Sequence, residues 1–523
     1  MKRTISLWLF LVMLATMLAA PAAAEERQKL TIYTPLGAKV SEVYTSWDDI
    51  ACWQSIEEKL NVDIEFIHPA VGSESESFSL LLASGTLPDI IMGDWGNFQG
   101  AGANKAIADG IIIPLNDLLA EHAPDFTALL EENPDWKRQM STDEGTIAFF
   151  PHIYETQFAC TFIGFQIRQD WLDALGLEMP TTIDSWHEVL TAFKERDPNG
   201  NGLQDEIPFV PSPNHGKMNC WKVAFGLNSG NDGFYLDENQ VVHHNYLSEN
   251  YAAYLETMAA WYAEGLIDPE YITNDRNMLN AKMTGNQGGA TYAGYGMGFL
   301  GNWTNAARQA GDETYFLVGT PYPVNPDGVV RNNSGFTVGT GGFAISTDCK
   351  NPEVAVSVLN YIYSEEGSLI YNYGPESDVY TMVDGKPAYK PAAELIGDSG
   401  LPIDSVLLKA GGMACNGSVG IEPDAYQRMV VSTFPGQAIA AENYNIGDSS
   451  YLIPPVSQTA DESDELSEIV TEMKTLMDEY EAKVIMGLES VEKLPEMLET
   501  VKKMGIERAI ELKQAAVDRY FAR

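Results

Sequence analysis

Apolar and polar positions alternate in kind over the first hundred residues after the N-terminal apolar run. An extended stretch at Leu30–Tyr33 is followed by a helical spacing of Trp53, Ile56 and Leu60, and then by a second extended stretch at Val62–Ile67. A further helical piece around Phe78–Ala83 leads into Asp89-Ile90-Ile91-Met92. The order β-α-β-α-β predicts a parallel sheet covered by helices. Downstream, Trp186, Val189, Leu190 and Phe193 fall at i, i+3, i+4 and i+7 behind a cap at Thr182 or Asp184, which gives one apolar helical face. Ala355, Val358, Leu359 and Ile362 repeat the spacing after Asn351-Pro352, a cap with proline at the first helical position. From Asp461 the chain turns acidic and helical, with Ile469, Met473, Leu476, Tyr480 and Val484 along one stripe and Pro495 interrupting the run. No repeat of solenoid period and no low-complexity linker appears, so the domains are expected to interleave.

The 523 residues are 45% hydrophobic and 20% charged, enough to bury large cores and, at roughly 150 residues per domain, to form about two to four of them. Charge narrows the partners. Lys and Arg number 32 against 74 Asp and Glu, a net charge of −42, which opposes the phosphate neutralisation that supplies most nucleic-acid affinity. Neutral ligands are expected first. Lys2 and Arg3, the apolar run Ile5–Leu18 and Ala22-Ala23-Ala24 read as a cleaved secretory signal over residues 1–24, because the run is too short to span a bilayer. The first cysteine is Cys52, so no lipid-attachment cysteine follows the signal, and a soluble exported product without membrane insertion is expected. Cys52, Cys160, Cys220, Cys349 and Cys415 are widely spaced and lack any zinc spacing, which predicts buried thiols.

Two loops carry candidate chemistry. Asp197, Asn199 and Asn201 place oxygens at loop positions one, three and five, with Gly202 at six, the Leu203 carbonyl at seven and Asp205 at nine. Alternate oxygens around a glycine turn are the calcium logic of an EF-hand. The last carboxylate, Glu206, stands at position ten rather than twelve, so this is a shortened loop and the ion it predicts is structural. The second loop, Gly93-Asp94-Trp95-Gly96-Asn97, follows a predicted strand, where ligands bind in open α/β sheets. A Trp95 ring beside Asp94 and Asn97 suits the C–H face and hydroxyls of a sugar. Gly296-Met297-Gly298-Phe299-Leu300-Gly301 matches G-x-G-x-x-G, and Gly397-Asp398-Ser399-Gly400 is similar to a serine-protease loop, but neither has the flanking context its chemistry needs.

The chain resembles the extracellular solute-binding proteins of carbohydrate ABC transporters, family 1, in the branch of alginate-binding and lipoprotein-like sugar-binding members. The motifs that carry the resemblance are Leu82-Ala83-Ser84-Gly85-Thr86-Leu87-Pro88-Asp89-Ile90-Ile91, Ile167–Leu177 with Pro180-Thr181-Thr182, Asp197–Pro208, and Gln514-Ala515-Ala516-Val517-Asp518-Arg519-Tyr520. The resemblance implies an α/β, bilobal periplasmic-binding-protein-like fold of type II, with two interleaved lobes, a hinge and a helical C-terminal section. It divides the chain into lobe 1 at 25–155, lobe 2 at 156–338 with the calcium loop at 197–206, a return to lobe 1 at 339–440, and lobe 2 with the helical section at 441–523. It implies that relatives use the same shortened calcium loop. It adds Trp303 as an aromatic site on the opposite lobe, Tyr154 and Glu155 beside an interlobe crossing, and Trp221. The expected function is capture of an oligosaccharide by a monomer and its delivery to ABC permease subunits, without catalysis. A secreted carbohydrate-active hydrolase or lyase is the alternative.

Overall fold

The computed structural model describes residues 27–523 apart from 101, 231, 297–298, 333–334, 376–377 and 400; the signal segment 1–24 and Gly298 lie outside the described residues. The strands are β1 (Gln28–Tyr33), β2 (Val62–Ile67), β3 (Ile90–Gly93), β4 (Phe150–Tyr154), β5 (Ile163–Arg168), β6 (Ile207–Phe209), β7 (Phe234–Leu236), β8 (Val242–His244), β9 (Gly288–Gly294), β10 (Leu317–Gly319), β11 (Val338–Ile345), β12 (Tyr380–Val383), β13 (Lys386–Tyr389) and β14 (Gly420–Glu422). A six-stranded sheet runs in the order β14-β4-β11-β3-β1-β2 and a four-stranded sheet in the order β10-β5-β9-β6. The two small pairs β7-β8 and β12-β13 are hairpins.

The first sheet is built as the hydrophobic pattern dictates. In β2, Val62, Ile64 and Phe66 are buried while Asp63, Glu65 and Ile67 are exposed, the period-two pattern of a half-buried strand. The alternation continues through β1, where Leu30 and Ile32 join one core and Tyr33 the other. The helix Ala51–Leu60 buries Cys52, Trp53 and Ile56 and ends at Asn61 in the left-handed conformation (φ 53°), a C-terminal stop that asparagine tolerates. The second sheet carries the largest core. Its helix Ile183–Glu195 is capped by Thr182, which exchanges side-chain bonds with Ser185, and it buries Trp186, Val189, Leu190 and Phe193, the four positions of the predicted face. Four of the five cysteines are buried, Cys349 is half-buried and all five are free thiols.

The chain passes between the sheets three times. It crosses from β4 to β5 over residues 155–162, returns from β10 to β11 over 320–337, and leaves the first sheet again after the helix Asp424–Val431. The following helix, Pro435–Tyr444, packs on β10, where a side chain on Gly319 would collide with Ala440. The last crossing therefore falls at 432–434, ahead of the boundary expected at 440/441. The helices Ala460–Ile485, Leu494–Met504 and Ile506–Ala522 form the C-terminal section. It packs on the second lobe through the Asn250–Ala263 helix. Its end also reaches the first lobe: Arg519 and Arg523 both pair with Asp143, the latter at 2.7 Å, and Arg519 pairs with Glu462 at 2.6 Å.

Candidate functional site

Strand directions place the site. β1 is parallel to β2 and β3, β14 is parallel to β4, and β11 is antiparallel to both β3 and β4. The carboxyl ends at Tyr33, Ile67, Gly93, Tyr154 and Glu422 therefore share one edge. In the second sheet β9 is parallel to β6 and antiparallel to β5, which in turn is antiparallel to β10, so Phe209, Gly294 and Gly319 end on the edge where β5 begins. The short 155–162 segment joins Tyr154 on one such edge to Ile163 on the other. Carboxyl-end edges are where open α/β sheets bind ligands.

On the first lobe this edge holds a hollow of about 450 Å³ lined by Tyr33, Glu74, Ser75, Phe78, Asp94 and Asn97 among others. Asp94 and Asn97 are exposed, and the Asn97 amide donates to Thr340 Oγ1 at 3.2 Å and to Asp94 at 3.4 Å. Trp95, predicted as the stacking ring, is fully buried. Its indole N–H donates to the Ile91 carbonyl at 3.2 Å, and a side chain on Gly93 would come within 2.8 Å of the ring. Trp95 is thus a core residue under the loop, and the ring exposed to the hollow is Phe78, 5.9 Å from Trp95 and 6.4 Å from Tyr33. Phe78 sits on the helix Glu74–Ala83, which has no fully buried residue. The Tyr33 hydroxyl is buried without a hydrogen-bond partner, and burial followed by the field of Glu74 raises its pKa.

After the strand ends of the second sheet come Phe299 and His215, whose rings meet edge to face at 4.8 Å, with the Arg276 guanidinium 4.4 Å above Phe299. Burial, and then Arg276, lowers His215 to about 4, so the ring is neutral at pH 7; Nδ1 lies 2.9 Å from Ser212 Oγ. Trp303 is fully buried behind Phe299, with its indole N–H on Asn280 Oδ1 at 2.8 Å. Trp221 is likewise fully buried, between Phe165 at 4.6 Å, Trp261 at 4.9 Å, Phe209 at 5.1 Å and Trp186 at 5.2 Å. Both are corrected from cleft residues to core residues, because a fully buried indole has no face left for a ligand.

Tyr154 and Glu155 stand at the crossing. Tyr154 is half-buried, edge-on to His152 at 4.7 Å and 6.5 Å from Phe162; burial, and then Glu422, raises its pKa. Glu155 is exposed and accepts from the Asp424 amide at 2.9 Å. Beneath them a polar relay joins the lobes. The Tyr295 hydroxyl donates to Gln427 Oε1 at 3.3 Å, Gln427 Nε2 donates to Glu422 Oε1 at 2.7 Å, and Glu422 Oε2 stands 3.5 Å from His152 Nε2. Sequence reasoning missed Phe78, Phe299, His215, Arg276 and the relay; a strand-end position was the available signal for His215 and Phe299.

The 197–206 loop is tightly wound. Asp197 adopts φ 46°, its carboxylate accepts from the amides of Asn201 at 3.1 Å and Gly202 at 2.9 Å, and Asn201 Oδ1 accepts from Leu203 N at 2.7 Å. Asp205 accepts from the side-chain amides of Asn201 at 2.9 Å and Asn199 at 3.2 Å, bonds that lower its pKa. Among the described residues no three His, Cys, Asp or Glu side chains group as a metal cage. The fit to a hard cation comes instead from Glu206: both carboxylate oxygens are buried without a partner, and burial, followed by the neighbouring Asp197 and Asp205, raises its pKa. A buried carboxylate beside two others lacks a counter-charge, and the oxygen donors present are those calcium takes.

Comparison with known proteins agrees with this architecture. A fructooligosaccharide ABC transporter substrate-binding protein, FusA of Streptococcus pneumoniae serotype 4 (strain ATCC BAA-334 / TIGR4), is 29% identical over 335 residues, 62% of this chain and 60% of that protein; the matched stretch thus spans less than two thirds of that relative. The alginate-binding protein AlgQ2 without calcium ion superposes with a TM-score of 0.75 at 24% identity, covering 95% of this chain and 99% of that one. The S. pneumoniae FusA EF-hand mutant in complex with fructo-nystose superposes with a TM-score of 0.76 at 23% identity, over 95% and 100% of the two chains. The profile of the bacterial extracellular solute-binding proteins matches residues 37–368, more than half of the sequence, and the chain belongs to that family.

Proposed function

We propose that the protein captures a neutral oligosaccharide between its two lobes and delivers it, chemically unchanged, to the permease of an ABC importer. The observation that carries this reading is the hollow at the carboxyl edge of the first sheet, where Phe78 stands with Glu74, Asp94 and Asn97; Phe299 and His215 follow the strand ends of the second sheet. Rings cover the apolar faces of a sugar, while Asp94 and Asn97 bond its hydroxyls. Tyr154 and Glu155 contribute from the crossing. The names of the relatives, a fructooligosaccharide-binding and an alginate-binding protein, support an oligosaccharide; the net charge of −42 favours a neutral one. The protein works as an exported monomer after loss of residues 1–24. Among the described residues no helix is long and apolar enough to cross a membrane.

Calcium belongs to the same proposal, as a structural ion held by Asp197, Asn199, Asn201, Asp205, Glu206 and the Leu203 carbonyl. When bound it supplies the positive charge that the three carboxylates lack. The test is thermal-shift and calorimetric screening against mono- and oligosaccharides, followed by chromatography of the released sugar. A ligand at 100 times its Kd stabilises the fold by about 2.7 kcal/mol, and intact recovery is expected. Shortened products would establish a hydrolase or lyase, and silence across all neutral glycans would refute the oligosaccharide reading.

A further inference from the structure

The 197–206 loop is tied to the second sheet through a residue outside it. The turn 285–287 joins the helix Arg276–Thr284 to β9, and Asn286 in that turn adopts φ 61°, a left-handed conformation that asparagine tolerates better than most side chains. Its backbone and its side chain have separate partners. The backbone carbonyl accepts from the Asn199 side-chain amide at 3.1 Å, and the side-chain Oδ1 accepts from Arg168 Nη1 at 2.7 Å. Arg168, the last residue of β5, is 1% exposed. Its Nε and Nη2 bond Asp170 at 2.8 and 2.5 Å, and its guanidinium lies 4.2 Å from the Tyr315 ring and 4.8 Å from that of Trp171. Asn199 is thus held, by way of Asn286, from a buried arginine that is itself fixed.

The geometry points to Asn286 as a positioning residue that selects which end of the Asn199 amide faces the loop, and so sets the affinity for calcium. The inference rests on the calcium reading above and adds to it a residue outside the ligand set. A side-chain amide has one end that accepts and one that donates, and only the oxygen can ligate a hard cation. Turned through 180°, Asn199 would set its oxygen against the Asn286 carbonyl, two acceptors with no proton between them. Nδ2 therefore stays on Asn286, and Oδ1 stays toward the loop, where it accepts from the Asn201 amide at 3.0 Å. Asp205 Oδ1 accepts from the same nitrogen at 3.2 Å, but Asp205 is itself a proposed ligand, whereas the hold of Asn286 does not compete with the ion. Outer partners that orient a ligand in this way are worth about 10–100-fold in metal affinity.

The experiment is calorimetric titration of the chelator-stripped protein with calcium, on wild type, Asn286→Gly and Asn286→Asp. Glycine adopts a left-handed backbone without strain, so the fold is kept while the tether to Arg168 goes, and the calcium Kd should rise about tenfold. Aspartate keeps an oxygen for Arg168 and should stay within about threefold of wild type. The second readout is the rise in melting temperature when calcium is added to each stripped protein at one fixed concentration. That rise should shrink in Asn286→Gly and persist in Asn286→Asp, whereas a merely structural role would lower the stripped and loaded melting temperatures alike. An equal Kd and an equal rise in wild type and Asn286→Gly, or equal weakening in both variants, would overturn the positioning role while the calcium site stands. A wild type that takes up no calcium would overturn the calcium reading and this inference with it.

Discussion

Replacing Phe78 and Trp95 separately by alanine distinguishes a ligand platform from its foundation. Phe78 keeps part of its ring open to the lobe 1 hollow and rests on Trp95 at 5.9 Å. Stacking on a sugar is worth roughly 0.5–1.5 kcal/mol beyond area. Covering about a quarter of the 150–250 Å² an aromatic side chain can bury adds about 1–1.5 kcal/mol at about 25 cal/mol per Å². The sum corresponds to a loss of about ten- to a hundredfold in affinity for Phe78→Ala. The folding cost should be about 1–2 kcal/mol, below the 3–5 of a fully buried Phe or Trp. Trp95 is fully buried with its N–H bonded, so Trp95→Ala should cost about 3–5 kcal/mol, or roughly 6–20 °C in a lobe-sized unit. Calorimetric unfolding of the ligand-free variants and titration with a bound glycan read both quantities. An unchanged Kd in Phe78→Ala together with a melting drop as large as that of Trp95→Ala would refute the reasoning.

Other outcomes follow from the same structure. A calcium chelator should lower the melting temperature and added calcium should restore it, whereas Glu206→Gln should melt low and respond to neither; metal analysis of the purified protein checks the premise. Glu481 accepts from Tyr251 at 2.9 Å and Tyr254 at 2.8 Å and lies 3.1 Å from Lys222, all buried. Glu481→Ala should therefore cost about 3–5 kcal/mol in denaturant titration, because it leaves a buried cation without its carboxylate. His215 is lowered to about 4 by burial and Arg276, so below about pH 6.5 the unfolded chain takes up a proton that the folded chain refuses until about pH 4. Its contribution to stability is present above pH 6.5 and is lost as pH falls from 6.5 to 4. Melting curves of His215→Asn should fall less steeply than wild type in that window, and parallel curves would refute the assignment.

Much of the fold was legible because it rests on periodicity. Val62, Ile64 and Phe66 alternate because one face of β2 is wet, and Trp186 to Phe193 repeat at helical spacing because one face of their helix is buried. The sequence placed both without knowledge of any partner element. The position of the third crossing was less legible. The 432–434 boundary depends on Gly319 admitting the helix Pro435–Tyr444 against β10, a contact between segments more than a hundred residues apart. The C-terminal section was expected on lobe 2, and its ion pairs from Arg519 and Arg523 to Asp143 could not be read locally, since arginines in an acidic chain have many possible partners.

The candidate site was legible by position and illegible by residue. Strand-end logic led to the Gly93–Asn97 loop, and Asp94 and Asn97 do line the lobe 1 hollow. The same logic then favoured Trp95 because a ring beside a carboxylate and an amide suits a sugar, yet size works against it. A tryptophan next to a glycine at a strand end turns into the space that Gly93 leaves, and once its N–H reaches the Ile91 carbonyl no face remains for a ligand. Trp303 and Trp221 repeat the lesson, for a large ring in a domain of this size is more often foundation than surface. The half-buried rings are the smaller Phe78 and Phe299. Phe78 was invisible because nothing local separates its helix from any other, and only the absence of any fully buried residue along Glu74–Ala83 sets that helix apart.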